Sequence, residues 1–141
     1  FTFLFIGFYF FGLEKNNYNK KIIQINDVKF SVEIAASPHK KALGLSKRDF
    51  LKENEGMLFL FDKPDNYGFW MKDMKFPIDI LFINDTKIVD IKENCMPEPE
   101  KSIFNLTIYR PNYPADKVLE IGGGLVKKYK IKIGDEIRFD F

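Results

Sequence analysis

The sequence predicts a mainly β fold, either a rolled sheet, a β-sandwich or a barrel-like domain, with two short helices. Short runs of β-branched and aromatic residues recur along the chain, several of them alternate apolar with polar residues, and Asn, Asp or Gly separate them. The chain has 141 residues, of which 45% are hydrophobic. This content is ample for one core, and we predict a single domain over residues 22–141.

The first two strands form a predicted hairpin. Asn26 and Asp27 supply turn residues between the β-rich runs IIQI and KFSVEIAA. In the second run apolar residues alternate with Lys29, Ser31 and Glu33. This alternation is typical of an antiparallel strand with one buried face.

A helix is predicted within residues 37–56, SPHKKALGLSKRDFLKENEG. Ser37 is a favourable N-cap and Pro38 suits the first helical position. The apolar residues between positions 42 and 51 then fall on one side. Gly44 lowers the stability of such a helix by about 1 kcal/mol relative to Ala, unless close packing against the sheet requires the missing side chain.

Four further β-like runs follow, at residues 56–61, 68–71, 78–83 and 87–92. Near-continuous apolar runs such as MLFLF and ILFI predict strands that are buried on both faces. The last part of the chain adds a strand at 118–121, a short helix across GGLVKKY, and a terminal strand after the Gly134-Asp135 turn. In total we predict about eight short strands.

Residues 94–114 form a predicted long loop, because prolines interrupt the pattern at positions 97, 99, 111 and 114. Loops of this length are uncommon in a compact domain. We therefore expect either a functional flap or a poorly ordered surface excursion.

Residues 1–13, FTFLFIGFYFFGL, are apolar and uncharged, and a polar linker follows at residues 14–21. The run has two interpretations: part of a secretory signal or membrane anchor, or a buried first strand. We favour export or anchoring because the alternation of a strand is lost in FYFF. The protein is then extracytoplasmic, either secreted, periplasmic or tethered to a membrane through residues 1–13.

Composition excludes several classes of protein. The net charge is +2, from 22 basic and 20 acidic residues spread along the chain, so no basic stripe for nucleic acid is present. Cys95 and His39 are single residues of their types, which excludes an internal disulfide and a zinc cluster of Cys and His. We predict no metal, no cofactor and no nucleic-acid partner, and we expect a monomer. Cys95 is interpreted as a small, partly buried hydrophobic residue.

Four ordered motifs resemble the DUF192 family: ALGLSKRDFLKENEGMLFLF, FWMKDMKFPIDILFIN, VLEIGGG and KIKIGDEI. The resemblance covers residues 22–141. It implies a compact, mostly β domain, often exported in prokaryotes, with no assigned activity.

Two of these motifs depart from the family pattern. The first usually reads G-L-M-x-R, which Arg48 matches while Ser46 stands in place of Met. The second usually reads W-M-K-N-T, which Trp70 and Lys72 match while Asp and Met occupy positions 73 and 74. Any role that requires the amide or hydroxyl of the family pattern at 73–74 is therefore not carried over.

Five side chains are candidate ligand-binding residues: Arg48, Trp70, Lys72, Asp79 and Glu120. Alternation along a strand places Trp70 and Lys72 on one face, where a ring and an ammonium suit a sugar, an anion or a simple cross-strand pair. Asp79 lies on the side of buried residues, so it needs a partner, and Arg48 or Lys72 is expected to supply it. We expect the indole, the guanidinium and this acid to meet at one rim.

Glu120 is the polar residue within VLEI, so we expect it on the outer face of a strand or at the end of the sheet. The glycines at 122–124 follow it. They would either present backbone N–H groups to an anion or allow tight packing between strand and helix.

Three functions are compatible with these features. The first is a binding domain for a small molecule, glycan or peptide. The second is a hydrolase that pairs Asp79 with Asp73 or Glu120 as acid and base. The third is a purely structural or interaction domain of the cell envelope. We favour binding or interaction, and assign no catalytic residue, because the sequence contains no evident nucleophile with its base.

Overall fold

The computed structural model describes residues 17–141, which form a curled sheet of seven strands with two short helices. The mainly β prediction is confirmed. In chain order the elements are β1 (Lys20–Ile25), β2 (Val28–Ala35), α1 (Pro38–Leu43), β3 (Glu55–Asp65), β4 (Ile78–Asn84), β5 (Lys87–Cys95), β6 (Ala115–Gly122), α2 (Leu125–Lys128) and β7 (Ile137–Phe139). The expected signal or anchor at 1–13 lies outside the described residues. Within residues 17–141, no helix has the length and apolar character to cross a membrane.

The strand order is β5-β4-β6-β3-β2-β1-β7, and every neighbouring pair is antiparallel except β2 and β3. These two are parallel, and α1 with residues 44–54 makes the crossover between them. The two edge strands, β5 and β7, approach each other at one end. There the Ile88 N–H donates to Asp135 O at 3.0 Å, and the Ile137 N–H donates to Thr86 O at 2.7 Å. These bonds hold the sheet in its curl.

The curl separates two hydrophobic clusters. The inner cluster draws on all seven strands and is covered by the segment around α2; its buried members are Ile23, Ile25, Phe30, Val32, Leu58, Leu81, Ile83, Ile88, Leu119, Ile121, Leu125, Val126, Ile131 and Ile137. The outer cluster lies on the other face, beneath the loops that follow α1 and precede β4; its buried members are Ala35, Leu45, Met57, Phe59, Met71, Met74, Ile78, Ile80, Phe82, Cys95, Ala115 and Val118. Because β3, β4 and β6 contribute to both clusters, their near-continuous apolar sequences are explained by burial on both faces.

The predicted helix is correct at its start and too long at its end. Ser37 accepts a hydrogen bond from the Lys40 N–H at 3.3 Å, and Pro38 occupies the first helical position. The helix ends at Gly44, whose φ of 52° lies in the left-handed region that favours glycine. Residues after Gly44 therefore leave the helix, and Phe50 is exposed rather than packed on its face.

The hairpin of β1 and β2 is confirmed, with Ile25 opposite Val28 and a φ of 52° at Asn26. The predicted strand at 68–71 is wrong, because this segment makes only an isolated bridge between Phe69 and Tyr109. It runs across the outer cluster instead of joining the sheet. Seven strands are therefore present in the described chain where about eight were expected.

Candidate functional site

The candidate site lies on the outer face of the sheet, where three neighbouring strands bring two carboxyl groups into one row. Glu33 on β2 is opposite Met57 on β3, and Met57 is opposite Glu120 on β6. Strands are spaced by roughly 5 Å, so the backbones at Glu33 and Glu120 are about 10 Å apart on the same face. Their side chains therefore flank Met57.

Glu120 is the most unusual of these residues, because it is only 4% exposed although its side chain carries a carboxyl group. Burial raises the pKa of Glu120 to about 8, and the positive charge of Arg48 opposes this rise. The carboxyl is therefore mainly protonated at neutral pH. A protonated carboxyl can donate a hydrogen bond as well as accept one.

Arg48 lies next to this carboxyl, on the segment that follows α1. Its Nη2 donates to Glu33 Oε2 at 2.5 Å, and its side chain remains 30% exposed. A guanidinium has five N–H donors, of which Glu33 uses one.

Tyr18 completes the group of polar residues. Its ring centroid lies 5.3 Å from Arg48 Cζ, and its hydroxyl is buried, close to Arg48 but without a hydrogen-bond partner in the described structure. Burial raises the pKa of Tyr18, while Arg48 lowers it. Tyr18, Glu33, Arg48 and Glu120 are together called the polar cluster below.

Asp79 does not belong to the polar cluster. Its carboxylate is completely buried and accepts three backbone N–H groups, from Asn94 at 2.8 Å, Gly124 at 3.1 Å and Val126 at 2.8 Å. The expected ion pair of Asp79 with Arg48 or Lys72 is therefore wrong. Asp79 instead fixes the start of α2 against the end of β5.

The glycine segment at 122–124 shows why no external anion is needed there. The N–H groups of Gly124 and Val126 are already bonded to Asp79. A Cβ at Gly123 would lie 3.0 to 3.2 Å from atoms of Pro77, so this position has no room for a side chain. The glycine segment therefore has both suggested roles: it packs tightly against Pro77, and its Gly124 N–H binds an anion, which is the carboxylate of Asp79.

The geometry also separates the carboxylates proposed for a hydrolase. Asp79 on β4 is opposite Ile121 on β6, and Ile80 is opposite Glu120. Side chains alternate between faces along a strand, so Asp79 and Glu120 project from opposite faces of the sheet. Asp73 is exposed, at a turn position with a φ of 56°. Asp79 and Glu120 therefore cannot share one pocket in this fold.

Trp70 and Lys72 lie on the segment that crosses the outer cluster. Both are partly exposed, and Lys72 Nζ is 5.6 Å from the centroid of the Trp70 ring. Phe69 and Met71 pack into the outer cluster, whereas Trp70 belongs to neither cluster of the described residues. The expected alternation between the two pairs is present although the segment is not a strand.

A backbone hydrogen bond joins this segment to the one that carries Arg48. The Lys47 N–H donates to Asp73 O at 2.9 Å. Arg48 follows Lys47 in sequence, and Lys72 precedes Asp73. The segments that carry Arg48 and Lys72 therefore lie side by side. The expectation that the indole, the guanidinium and Asp79 meet at one rim is therefore wrong for Asp79, which lies on the other face. The segments that carry the guanidinium and the indole are in contact.

The proline-rich loop is ordered against the same segment. Tyr109 and Phe69 exchange two backbone hydrogen bonds of 2.7 and 2.9 Å, and Glu98 accepts from the N–H and hydroxyl of Thr107 at 3.0 Å each. A cavity of about 280 Å³ lies between them, lined by residues that include Lys72, Met74 and Ile103. The loop therefore has the form of a flap over the segment, and its functional role stays a prediction.

Cys95 borders the outer cluster from β5 and is 1% exposed. Burial, aided by the negative charge of Asp79, raises the pKa of its thiol to about 11. The interpretation as a buried hydrophobic residue is confirmed. Within residues 17–141, no group of three or more His, Cys, Asp or Glu side chains is arranged to hold a metal ion.

Sequence reasoning missed Tyr18 and Glu33. Tyr18 falls in the predicted linker at 14–21, and Glu33 falls on the side of β2 that alternation assigns to solvent. Both are recruited because the loop after α1 folds over this face. A local pattern does not report such a contact, since Glu33 and Arg48 are brought together only by the crossover between β2 and β3.

Comparison with known proteins gives a family and two similar structures. The profile of the DUF192 family, described as "Uncharacterized ACR", matches residues 21–139. A candidate transcription regulator from Sinorhizobium meliloti 1021 is 29% identical, with a TM-score of 0.79, and the match covers 89% of this chain and 97% of that one. A protein of unknown function from Novosphingobium aromaticivorans DSM 12444 is 31% identical, with a TM-score of 0.75, over 86% of this chain and 85% of that one. No curated protein matches the chain.

Proposed function

This chain belongs to the DUF192 family, for which no activity is assigned, and from its polar cluster we propose that it is a small-ligand-binding domain. The ligand docks at Tyr18, Arg48 and Glu120. Trp70 and Lys72, on the adjoining segment, contact the outer part of the ligand, which suits a sugar ring, a peptide or another small polar molecule.

The observation that carries this proposal is the buried hydroxyl of Tyr18, which has no hydrogen-bond partner among the described residues and lies beside Arg48. An unsatisfied buried polar group costs about 1–3 kcal/mol of stability. If Tyr18 had only a structural role, Phe would fill the same space without this cost. A ligand that accepts a hydrogen bond from this hydroxyl would supply the missing partner.

The partly exposed ring of Trp70 supports the same proposal. The ring packs into neither hydrophobic cluster of the described residues and lies beneath the Lys72 ammonium at 5.6 Å. Trp70→Ala should therefore reduce ligand retention while leaving the melting temperature nearly unchanged. A large loss of stability without a change in binding would assign the ring to packing.

Glu120→Leu gives the sharpest test of this function. The variant should unfold at a higher denaturant concentration than the wild type and should lose ligand binding, because it removes both the buried carboxyl and its donor. Binding is measured by amide chemical-shift changes on addition of monosaccharides, amino acids and small carboxylic acids. Glu136→Gln, at an exposed carboxylate remote from the polar cluster, is the matched control and should behave as the wild type.

Two outcomes would contradict the proposal. One is a lower stability of Glu120→Leu, which would show that the carboxyl has a structural partner. The other is the absence of any localised shift around Arg48 with every compound of the set.

A second candidate function, an interaction domain, is favoured by the loop at 94–114. Phe104 at the tip of this loop is 92% exposed, and Met96, Ile103 and Ile108 are exposed beside it. Light scattering that finds an oligomer, and its dissociation in Phe104→Ser, would support this function. A monomer at all concentrations, as expected from the sequence, would argue against self-association through the loop.

We propose an extracytoplasmic location on the apolar sequence of residues 1–13 alone. A reporter enzyme that is active only outside the cytoplasm, fused after Phe141, should be active when residues 1–13 are present. Its activity should disappear when they are deleted. Activity of both fusions, or of neither, would contradict the location.

A further inference from the structure

The hydrogen-bonding capacity of the polar cluster is strongly biased towards donors. The Tyr18 hydroxyl has no partner, and Arg48 has donors beyond the one that Glu33 uses. The carboxylate of Glu33 is already paired with Arg48, so it does not offer a free acceptor to the other donors. Glu120 adds a third group, which donates when it is protonated.

From this geometry we propose that the ligand presents a compact oxyanion, a carboxylate, phosphate or sulfate group, to Tyr18, Arg48 and Glu120. The inference rests on the proposed binding function and names the chemical class that the site takes. An oxyanion offers only acceptors, which is what a set of three donors requires.

The charges around Glu120 agree with this class of ligand. Arg48 faces it from the segment after α1 and is paired with Glu33 of β2. Cys95 faces it from β5, and its thiol, with a pKa of about 11, stays neutral at physiological pH. The pKa of Glu120 itself is about 8. At neutral pH the cluster therefore has one positive and one negative charge that offset each other, and no unpaired anion that would repel the ligand.

A cationic ligand fits the same site less well. It would need Glu120 in its ionised form, which burial disfavours. It would also lie beside the guanidinium of Arg48, whose charge is of the same sign. An uncharged polyol avoids the repulsion but leaves part of the donor set without strong acceptors.

The experiment follows the binding of sulfate and acetate to the full chain by NMR, using the side-chain Nε–H signal of Arg48. Neither probe changes its own charge between about pH 7 and pH 9. Methylammonium and glucose are tested under the same conditions. We expect both oxyanions to shift the Arg48 signal, and the apparent Kd to rise about tenfold over these two pH units because the protonated fraction of Glu120 falls about tenfold.

Glu120→Gln separates this mechanism from simple attraction to Arg48. An amide donates a hydrogen bond but does not titrate, so the variant should bind both oxyanions with an affinity that does not change over this pH range. Glu136→Gln should keep the pH dependence of the wild type. Binding by sulfate but not acetate, or the reverse, assigns the ligand to a tetrahedral or a planar oxyanion.

The possible failures of the two proposals are distinguishable. Shifts caused by glucose or methylammonium, and not by the oxyanions, would overturn the oxyanion inference and leave a ligand-binding domain. Oxyanion binding with the same flat pH profile in wild type and Glu120→Gln would overturn the role of Glu120 as donor. No shift with any of the four probes would overturn the oxyanion inference, and if the wider set of compounds also gives none, the binding function fails with it.

Discussion

Glu120 should make the stability of this protein depend on pH in a range where most proteins show little change. The pKa of Glu120 is 4.5 for the ordinary side chain and about 8 in the folded state. Because the folded state holds the proton more tightly, this group favours folding fully below pH 4.5, and the contribution is lost as the pH rises towards 8.

The size of the effect follows from the same two values. Each pH unit between them changes the free energy of unfolding by about 1.4 kcal/mol, so a rise from about pH 5.5 to pH 8 should cost about 3 kcal/mol. Glu120 is 4% exposed, so solvent screening reduces this value little. The pKa of about 8 in the folded state already includes the opposing effect of the positive charge of Arg48.

The measurement is urea-induced unfolding of the wild type and Glu120→Gln at several pH values. The difference in the free energy of unfolding between the two proteins should increase steadily in favour of the variant as the pH rises. Taking this difference removes the contribution of surface carboxylates such as Asp49 and Glu98, whose lowered pKa values act at more acidic pH. Parallel pH profiles of the two proteins would refute the reasoning, because they would show that the carboxyl is solvated or paired.

Two further predictions concern buried residues, Asp79 on β4 and Cys95 on β5. Asp79→Ala should lower the free energy of unfolding by about 3 kcal/mol, because three backbone N–H groups, of which that of Val126 is buried, lose their acceptor; a loss below about 1 kcal/mol in urea unfolding would contradict the anchoring role. Asp79→Asn keeps one acceptor oxygen and should cost less. The Cys95 thiol should not react with a chromogenic disulfide at pH 8 in the native protein and should react fully in urea, since it is 1% exposed with a pKa of about 11. Rapid reaction of the native protein would contradict the burial of Cys95.

Most of the secondary structure could be predicted because it depends on neighbouring residues. The Asn26-Asp27 turn gives the first hairpin, Ser37 and Pro38 begin α1, and Gly134 with Asp135 precede the last strand. Each of these features depends on local backbone preferences and on the alternation of side chains.

The errors arose where distant segments override local preference. The apolar run at 68–71 has the composition of a strand, but it covers the outer cluster and bonds only to Tyr109. Gly44 ends α1 instead of weakening it, because the chain must turn there to cross from β2 to β3. Composition cannot distinguish a strand in the sheet from an extended segment that packs on its face.

The sequence by itself determined the mainly β class, the family and the identity of four side chains of interest at the site and beside it, Arg48, Trp70, Lys72 and Glu120. Only the tertiary structure decided which charges meet. Asp79 is bonded to backbone N–H groups on the inner face, while Arg48 pairs with Glu33 and faces Glu120 on the outer face. The physical reason is that strand alternation fixes on which face of its strand a side chain lies, whereas the parallel crossover and the curl of the sheet fix what covers that face.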